Sequence, residues 1–505
     1  MNPIAAPKTL RYEPDAGLPV AIEAKSNRRY FYPSNGQEFG PKATNVIRMT
    51  LNANSFLDFS HSYLQFTVKN TNTAAESVGL DHGVPFFNRL QVMSGGQELE
   101  DIQEYSRLYS ILSSIQGSRV TADETSLTLH QPFAGDYAAP ATALGQTNAQ
   151  LTAALAAGGS TTSGLIDNAV DAAINRAINN GSGEGASYRH NANTQVAQNA
   201  SITYNVPLIS AFFNIDKYFP LLLTEQGLDL YFYLEQPKNI GVWSANAAET
   251  HNYSITEVKY VAHEVNLDDA FVNQMKASMQ ATGGVLSLSS TTYKYNNITG
   301  TTDLAIAGPT QEVLNISCRV KSLKGMLVRP QASCFNNDHD RFAIGTGHSV
   351  GITEGQFRIG SVLYPQSAIK FSATNRGELF DEIRKCFGTI GSYAHGTSLN
   401  SSTFKFMARD DGLVANAGGG SLRQHWVLAY DFETFAKSAT ESGINVADRA
   451  LPVSLELTRT VLGGGTQVRA AAGGADGDQK VRYDTFAMCD CIIYIDLMGK
   501  ITTRI

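Results

Sequence analysis

In FLDFSHSYLQFTVKN, residues 56–70, Leu64, Phe66 and Val68 alternate with Tyr63, Gln65, Thr67 and Lys69. A period of two predicts a β-strand with one dry face and one wet face. The signature recurs through the first half of the chain, in NVIRMTL (45–51), FFNRLQVM (86–93), SITYNVPL (201–208), LDLYFYLEQP (228–237) and ITEVKYVAHEV (255–265). In LDLYFYL, Leu228, Leu230, Phe232 and Leu234 fall on one side, and Asp229, Tyr231 and Tyr233 on the other. Ser94-Gly95-Gly96 links FFNRLQVM to QELE, and the glycine pair supplies the positive φ of a tight hairpin.

Helical spacing is rarer. Ile102, Tyr105, Leu108, Tyr109, Leu112 and Ile115 recur at three and four, and Gly117 is a natural stop. LDDAFVNQMKASM (267–279) reads as a short helix with Asp268 and Asp269 near its positive end. In the second half Leu314, Ile316, Cys318 and Val320 alternate with polar residues, and QFRIGSVLYPQSAIK follows at 356–370. A helix in NRGELFDEIRKCFG then carries Leu379, Phe380, Ile383 and Phe387 on one stripe and ends at Gly388. Strands return in QHWVLAYDFE, VSLELT, TFAMCDCIIYIDL and KITTRI. Each half thus runs from a strand (Arg89–Val92, Arg358–Ser361) through a turn to a helix, and then back to strands. The order recurs about 270 residues on, which is the layout of a duplicated all-β sandwich.

Two stretches break the pattern. Residues 1–40 are Pro-rich and aperiodic, with Tyr12, Tyr30, Phe31 and Tyr32, and read as an arm that docks on a neighbour. Residues 137–200 are rich in Ala, Gly, Asn and Thr, with one amphipathic helix through Ile166, Val170, Ile174 and Ile178. A structureless loop of that length is unusual, so a folded projection is expected. The division is an arm over 1–40, a first sandwich over 41–266 carrying the insertion 137–200, and a second sandwich over 267–505.

Composition sharpens this. Charged residues make up 17% of the chain, against about 25% in ordinary soluble domains, which points to surface covered by partners. The net charge of −7 argues against wholesale nucleic-acid binding, and the six Lys/Arg against four acids in residues 1–44 make no polybasic tail. Cys318, Cys334, Cys386, Cys489 and Cys491 form no CxxC pair and read as buried thiols of a reducing compartment. No run of 18 apolar residues occurs, and Pro3 and Pro7 interrupt the start where a signal peptide would need an apolar core.

Candidate chemistry is sparse. Asp338-His339-Asp340 is the densest cluster of metal-ligand types, but adjacent residues rarely converge, and on a strand the two acids would oppose the histidine. Asp268-Asp269 and Asp410-Asp411-Gly412 pair carboxylates in sequence only, whereas glycoside cleavage needs two that face one sugar. Gly345, Gly347 and Gly351 miss the spacing of a dinucleotide loop. The histidines are scattered, and His61, His263 and His425 fit strand positions. No catalytic, cofactor-binding or metal-binding residue is assigned, and no enzyme activity or cofactor is expected.

FLDFSHSYLQFTVKN, the KYFPLLL…GLDLYFYLEQP segment and QFRIGSVLYPQ resemble the double jelly-roll major capsid proteins of Polinton-like viruses and virophages, in the adenovirus-like lineage of DNA viruses. The likeness covers about residue 44 to the end, and residues 137–200 match no pattern of the family. It implies two tandem eight-stranded jelly rolls with short helices, a homotrimer of near-hexagonal outline, and an icosahedral virion shell assembled inside the host cell. Implied partners are neighbouring capsomers, penton and minor capsid proteins, with no direct sequence-specific nucleic-acid contact. The insertion would form an outer crown and the arm would tie to neighbours. Two rivals stay open: a carbohydrate-binding or glycoside-cleaving β-sandwich, which would need exposed aromatics on a concave face where Trp numbers only two, and a spike or vertex capsid protein.

Overall fold

The alternating segments form the strands that their period predicts. In a computed structural model, the described residues are 24–73, 78–80, 86–116, 195–196, 198–215, 217–243, 251–281, 283–303, 308–333, 344–345, 347–372, 374–387, 397, 399, 404, 425–433, 443–448, 451–461 and 480–505. The first sandwich has strands β1 (Ala24–Phe31), β2 (Val46–Leu51), β3 (Phe56–Asn70), β4 (Phe87–Ser94), β5 (Gln97–Gln103), β6 (Ser201–Val206), β7 (Leu228–Leu234) and β8 (Tyr253–Leu267). One sheet runs β1-β8-β3-β6 and the other β2-β7-β4-β5, all antiparallel.

The second sandwich has β9 (Val285–Asp303), β10 (Gly308–Ile316), β11 (Leu323–Ala332), β12 (Ile352–Ile359), β13 (Val362–Lys370), β14 (Leu428–Asp431), β15 (Val453–Val461) and β16 (Lys480–Asp496). Its sheets run β9-β16-β11-β14 and β10-β15-β12-β13. Adding eight to each strand number of the first sandwich gives the second. Two antiparallel sheets built on four strands each in this crossed order are a jelly roll, so the chain is two tandem eight-stranded jelly rolls, with the short strands Glu38–Phe39 and Phe219–Pro220 added to the first and Ile501–Arg504 to the second.

Each roll closes on interleaved apolar faces. In β7 residues alternate strictly between buried and half-buried, and Phe232 is fully buried with its ring 5.2 Å from that of Phe87. Phe66 of β3 sits among Phe86, Phe87 and Tyr204 at 5.3–5.8 Å between centroids. In the second roll Phe357 packs edge-on against Tyr430 and Phe432. Gly95 and Gly96 take φ of 57° and 77° at the β4–β5 turn, as the hairpin requires. The buried apolar residues of both rolls form one continuous cluster.

Among the described residues, three α-helices complement the strands: α1 (Tyr105–Gln116) after β5, α2 (Asp269–Ala281) between the rolls, and α3 (Gly377–Phe387) after β13. Both α1 and α3 follow the hairpin of their roll, β4–β5 and β12–β13, as the recurring layout predicts. Asp269 opens α2 at its electropositive end, and Met279 is its buried residue.

The structure differs from the sequence reading in three places. Residues 24–31, read as part of the arm, form β1, which pairs with β8 from Ala24↔Leu267 to Phe31↔Tyr260. An edge strand bonded on one side needs little apolar character, so its pattern is weak; here Ala24–Tyr30 are all exposed. The alternation through Val320 overruns its strand: β10 ends at Ile316, although Cys318 and Val320 stay buried. The 19-residue strand β9 has no counterpart in the sequence reading. Gly117, Gly388, residues 1–23 of the arm and the predicted helix of the insertion lie outside the described residues.

Candidate functional site

Among the described residues, the densest buried chemistry lies at the seam between the rolls. It begins with α1. Residues 105–112 of this helix are all buried, because one side of α1 packs on its own roll and another meets the second roll. A basic residue in such a place needs a buried counter-charge. Arg107 is 1% exposed and donates from Nη1 to Asp484 Oδ2 of β16 and to Gln331 Oε1 of β11, both at 3.0 Å. Its Nε donates to Glu104 Oε2 at 2.9 Å.

Glu104 joins the two rolls a second time. Its other oxygen lies 3.2 Å from Arg482, which also donates to Asp484 at 2.8 Å and to the Tyr295 hydroxyl at 2.9 Å. Tyr295 in turn donates to Asp484 at 2.7 Å. Burial alone would raise the Asp484 carboxyl, but the guanidiniums of Arg107, Arg482 and Arg329 outweigh it and hold the group below the usual range. Glu104 has φ of 51°, left-handed for a residue with a side chain. That costs about 1–2 kcal/mol and persists where the surroundings over-determine it.

The seam continues away from this cluster. Glu100 of β5, 2% exposed, accepts from Thr292 of β9 at 2.5 Å and from the Ala211 N–H at 3.0 Å. Here burial prevails over those bonds and raises the carboxyl. Thr503 of the last strand, Ile501–Arg504, donates to the Leu99 carbonyl at 2.8 Å, Glu225 N–H to the Gly499 carbonyl at 3.1 Å, and Thr397 to the Ser114 carbonyl at 3.3 Å. Side chains and backbone thus bond the rolls at several separate places, so relative rotation would break polar contacts at each.

The sequence singled out few of these residues. Tyr105, Leu108 and Leu112 were legible as a helix stripe, but nothing near Arg107 in the sequence points to Asp484, which is 377 positions away. The only local signal is a lone arginine in an otherwise uncharged helix.

Asp338-His339-Asp340 and Asp410-Asp411-Gly412 lie outside the described residues, as does Cys334. Asp268 and Asp269 sit at the exposed start of α2. Cys318, Cys386, Cys489 and Cys491 are free thiols, and the Cys318 and Cys489 side chains hydrogen-bond each other. His61 meets Asp58 through Nδ1 at 2.6 Å, and Ser60 Oγ lies 3.1 Å from that same nitrogen. A serine nucleophile needs the opposite ring nitrogen as its base, so this trio is not arranged as a relay. Among the described residues, no three or more His, Cys, Asp and Glu side chains gather as a metal site.

No protein-family model and no curated protein matches the sequence. Solved structures do match its fold. PBCV-1 VP54, whose crystal structure was fitted into a reconstruction of the virophage Sputnik, aligns over 97% of this chain and 98% of its own at 10% identity and a TM-score of 0.53. A quasi-atomic model of the PBCV-1 virus capsid aligns over 97% and 98% at 11% and 0.52. A chain of the Sputnik virophage structure aligns over 100% and 93% at 12% and 0.51. The strand order, repeated twice along one polypeptide, is therefore a fold that this chain shares over nearly its whole length with chains of a virus capsid and a virophage.

Proposed function

We propose that this chain is a major capsid protein whose function is assembly. Three copies close into a near-hexagonal tile, and tiles pave an icosahedral shell in the virion of a DNA virus. The observation that carries this reading is the seam: two rolls of identical strand order are bonded side by side by buried charges. A tile must transmit load without flexing at its middle, and a continuous core with paired ions across it meets that need.

The same geometry supports the count of three. Within the chain, the first roll offers α1 to the second. The second roll carries an equivalent helix, α3, of which only Leu379 and Ile383 are buried. Repeating the seam from α3 to the first roll of the next copy makes a head-to-tail contact, which closes into a ring when the rotation permits. Six rolls from three chains give sixfold outline from threefold symmetry. Contacts of this permanent kind commonly cover more than roughly 2,000 Å². Neighbouring tiles, penton and minor capsid proteins would take the remaining faces, and residues 1–23 would serve as the tie.

Light scattering coupled to size exclusion, with negative-stain imaging, tests the reading. Trimers of hexagonal outline are expected, while monomers or pentamers would overturn it. Deletion of residues 1–23 should leave trimers and impair lattice formation. Deletion to residue 40 removes β1 as well and should cost stability.

A further inference from the structure

On the outer face of the sheet β1-β8-β3-β6 lies a groove of about 710 Å³. Its volume falls within the roughly 300–1,000 Å³ of small-ligand sites. The floor is Gln65 and Thr67 of β3, Thr203 of β6 and Glu257 and Lys259 of β8; the wall is the segment Tyr32–Glu38.

The floor is built at a conformational cost. The β8–β3 register shifts between Thr256 and Lys259, and Glu257 in that bulge has φ of 54°. Bulges re-aim side chains, and left-handed non-glycine residues gather at functional sites. The re-aimed carboxylate accepts from Thr67 Oγ1 at 2.9 Å. Thr67 also bonds Thr203 at 2.9 Å, and Gln65 donates to Asn205 at 2.6 Å, so the floor side chains are held in place across three strands. Tyr32, 64% exposed, stands at the wall.

These groups select a ligand class. The floor strand β3 is paired on both flanks at Gln65 and Thr67, by β8 and by β6, so it offers no free backbone edge to an added strand. Recognition at the floor rests on side chains: amides, hydroxyls, two carboxylates, one ammonium and one aromatic ring. Glu38 and Glu257 against Lys259 leave the lining one charge negative, which disfavours anionic ligands. Amides and a carboxylate satisfy ligand hydroxyls as donors and acceptors, and a tyrosine face covers the apolar face of a sugar ring. We propose that this groove binds a neutral oligosaccharide, with Tyr32 as platform and Glu257, Gln37 and Gln65 as its hydrogen-bonding partners. The inference stands on residues of the first roll and not on the assembly proposed above, and it requires that this face stay open in any assembly.

The test uses the full-length protein on an array of neutral and acidic glycans, followed by saturation-transfer NMR with the neutral hexose and N-acetylhexosamine chains at millimolar concentration. Binding of neutral chains is expected, weakened roughly tenfold or more in Tyr32→Ala and Glu257→Gln. Glu257→Gly separates function from structure. Glycine accepts the left-handed backbone freely, so that variant should melt higher than wild type while losing the glycan. A blank array, binding of acidic glycans alone, binding indifferent to both Tyr32→Ala and Glu257→Gln, or a lower melting temperature for Glu257→Gly would each overturn the proposal. So would footprinting that shows Tyr32 covered by a second copy of the chain.

Discussion

Helices α1 and α3 occupy the same place in the two rolls, yet their surroundings are opposite. α1 has no acid in its first turn and no base in its last, and its one arginine is buried against the second roll. α3 opens with Glu378, closes with Arg384 and Lys385, and pairs its charges along its own surface, Asp381–Arg384 and Glu382–Lys385. One helix has exchanged water for a neighbouring roll. The other keeps charged flanks and a half-covered apolar stripe. The same position in a duplicated fold is thus a finished joint in one roll and an open one in the other, and the fold of the element alone does not tell which.

Several measurements would break or sharpen that contrast. The largest effect belongs to the cores on which both helices rest. Phe232→Asp places a charge where no water reaches and should cost more than about 4 kcal/mol, enough to abolish soluble protein. Native trimer from that variant would refute the strand assignment. Next comes the finished joint. Arg107→Met leaves Asp484 with one cross-seam partner fewer and should cost about 3–5 kcal/mol. Calorimetry should resolve two transitions where wild type shows one, and a single unshifted transition would mean that the rolls are coupled by apolar packing alone.

The two seam carboxylates should set opposite slopes of stability with pH. Asp484 is depressed in the folded state, so its contribution is present above the unfolded value of about 3.9 and lost as pH falls through its folded value. Glu100 is raised, so its contribution is complete below about 4.3 and lost as pH rises through its folded value. The melting temperature should therefore climb from neutral to about pH 4.5 and fall below about pH 4. Glu100→Gln should flatten the upper limb only; an unchanged profile would detach Glu100 from it. The smallest effect on folding is expected at the open joint. Lys385→Glu is a surface change worth within about 0.5 kcal/mol, yet it should lower the trimer fraction in light scattering. An unaltered trimer would place the contact elsewhere than α3.

Much of the architecture could be read in the chain, and the gaps have a common cause. Strands with one face in a core, such as β3 and β7, carry strict alternation and were legible. The first strand of each roll was not. β1 lies at a sheet edge with Ala24–Tyr30 exposed, and β9, also at its sheet's edge, is rich in Ser, Thr and Asn, so its composition imitates a loop. Their strand character comes from the partners β8 and β16 and not from their own pattern. The seam was equally hidden. Arg107 and Asp484 meet because two rolls dock, and no local period records a pairing between residues so far apart. The groove escaped because Glu257 owes its direction to a bulge, which alternation cannot register.

The exposed linker α2 has a bearing on how such a tile would grow. Six separate rolls would have to find one another through five encounters, each with its own dilution penalty, before the sixth contact closed the ring. With α2 tethering the rolls in pairs, three of those encounters would occur at the high local concentration that a short connection imposes, whatever the bulk amount of protein. The ring would then depend on only two bimolecular meetings, and the supply of subunits in the cell would govern those alone.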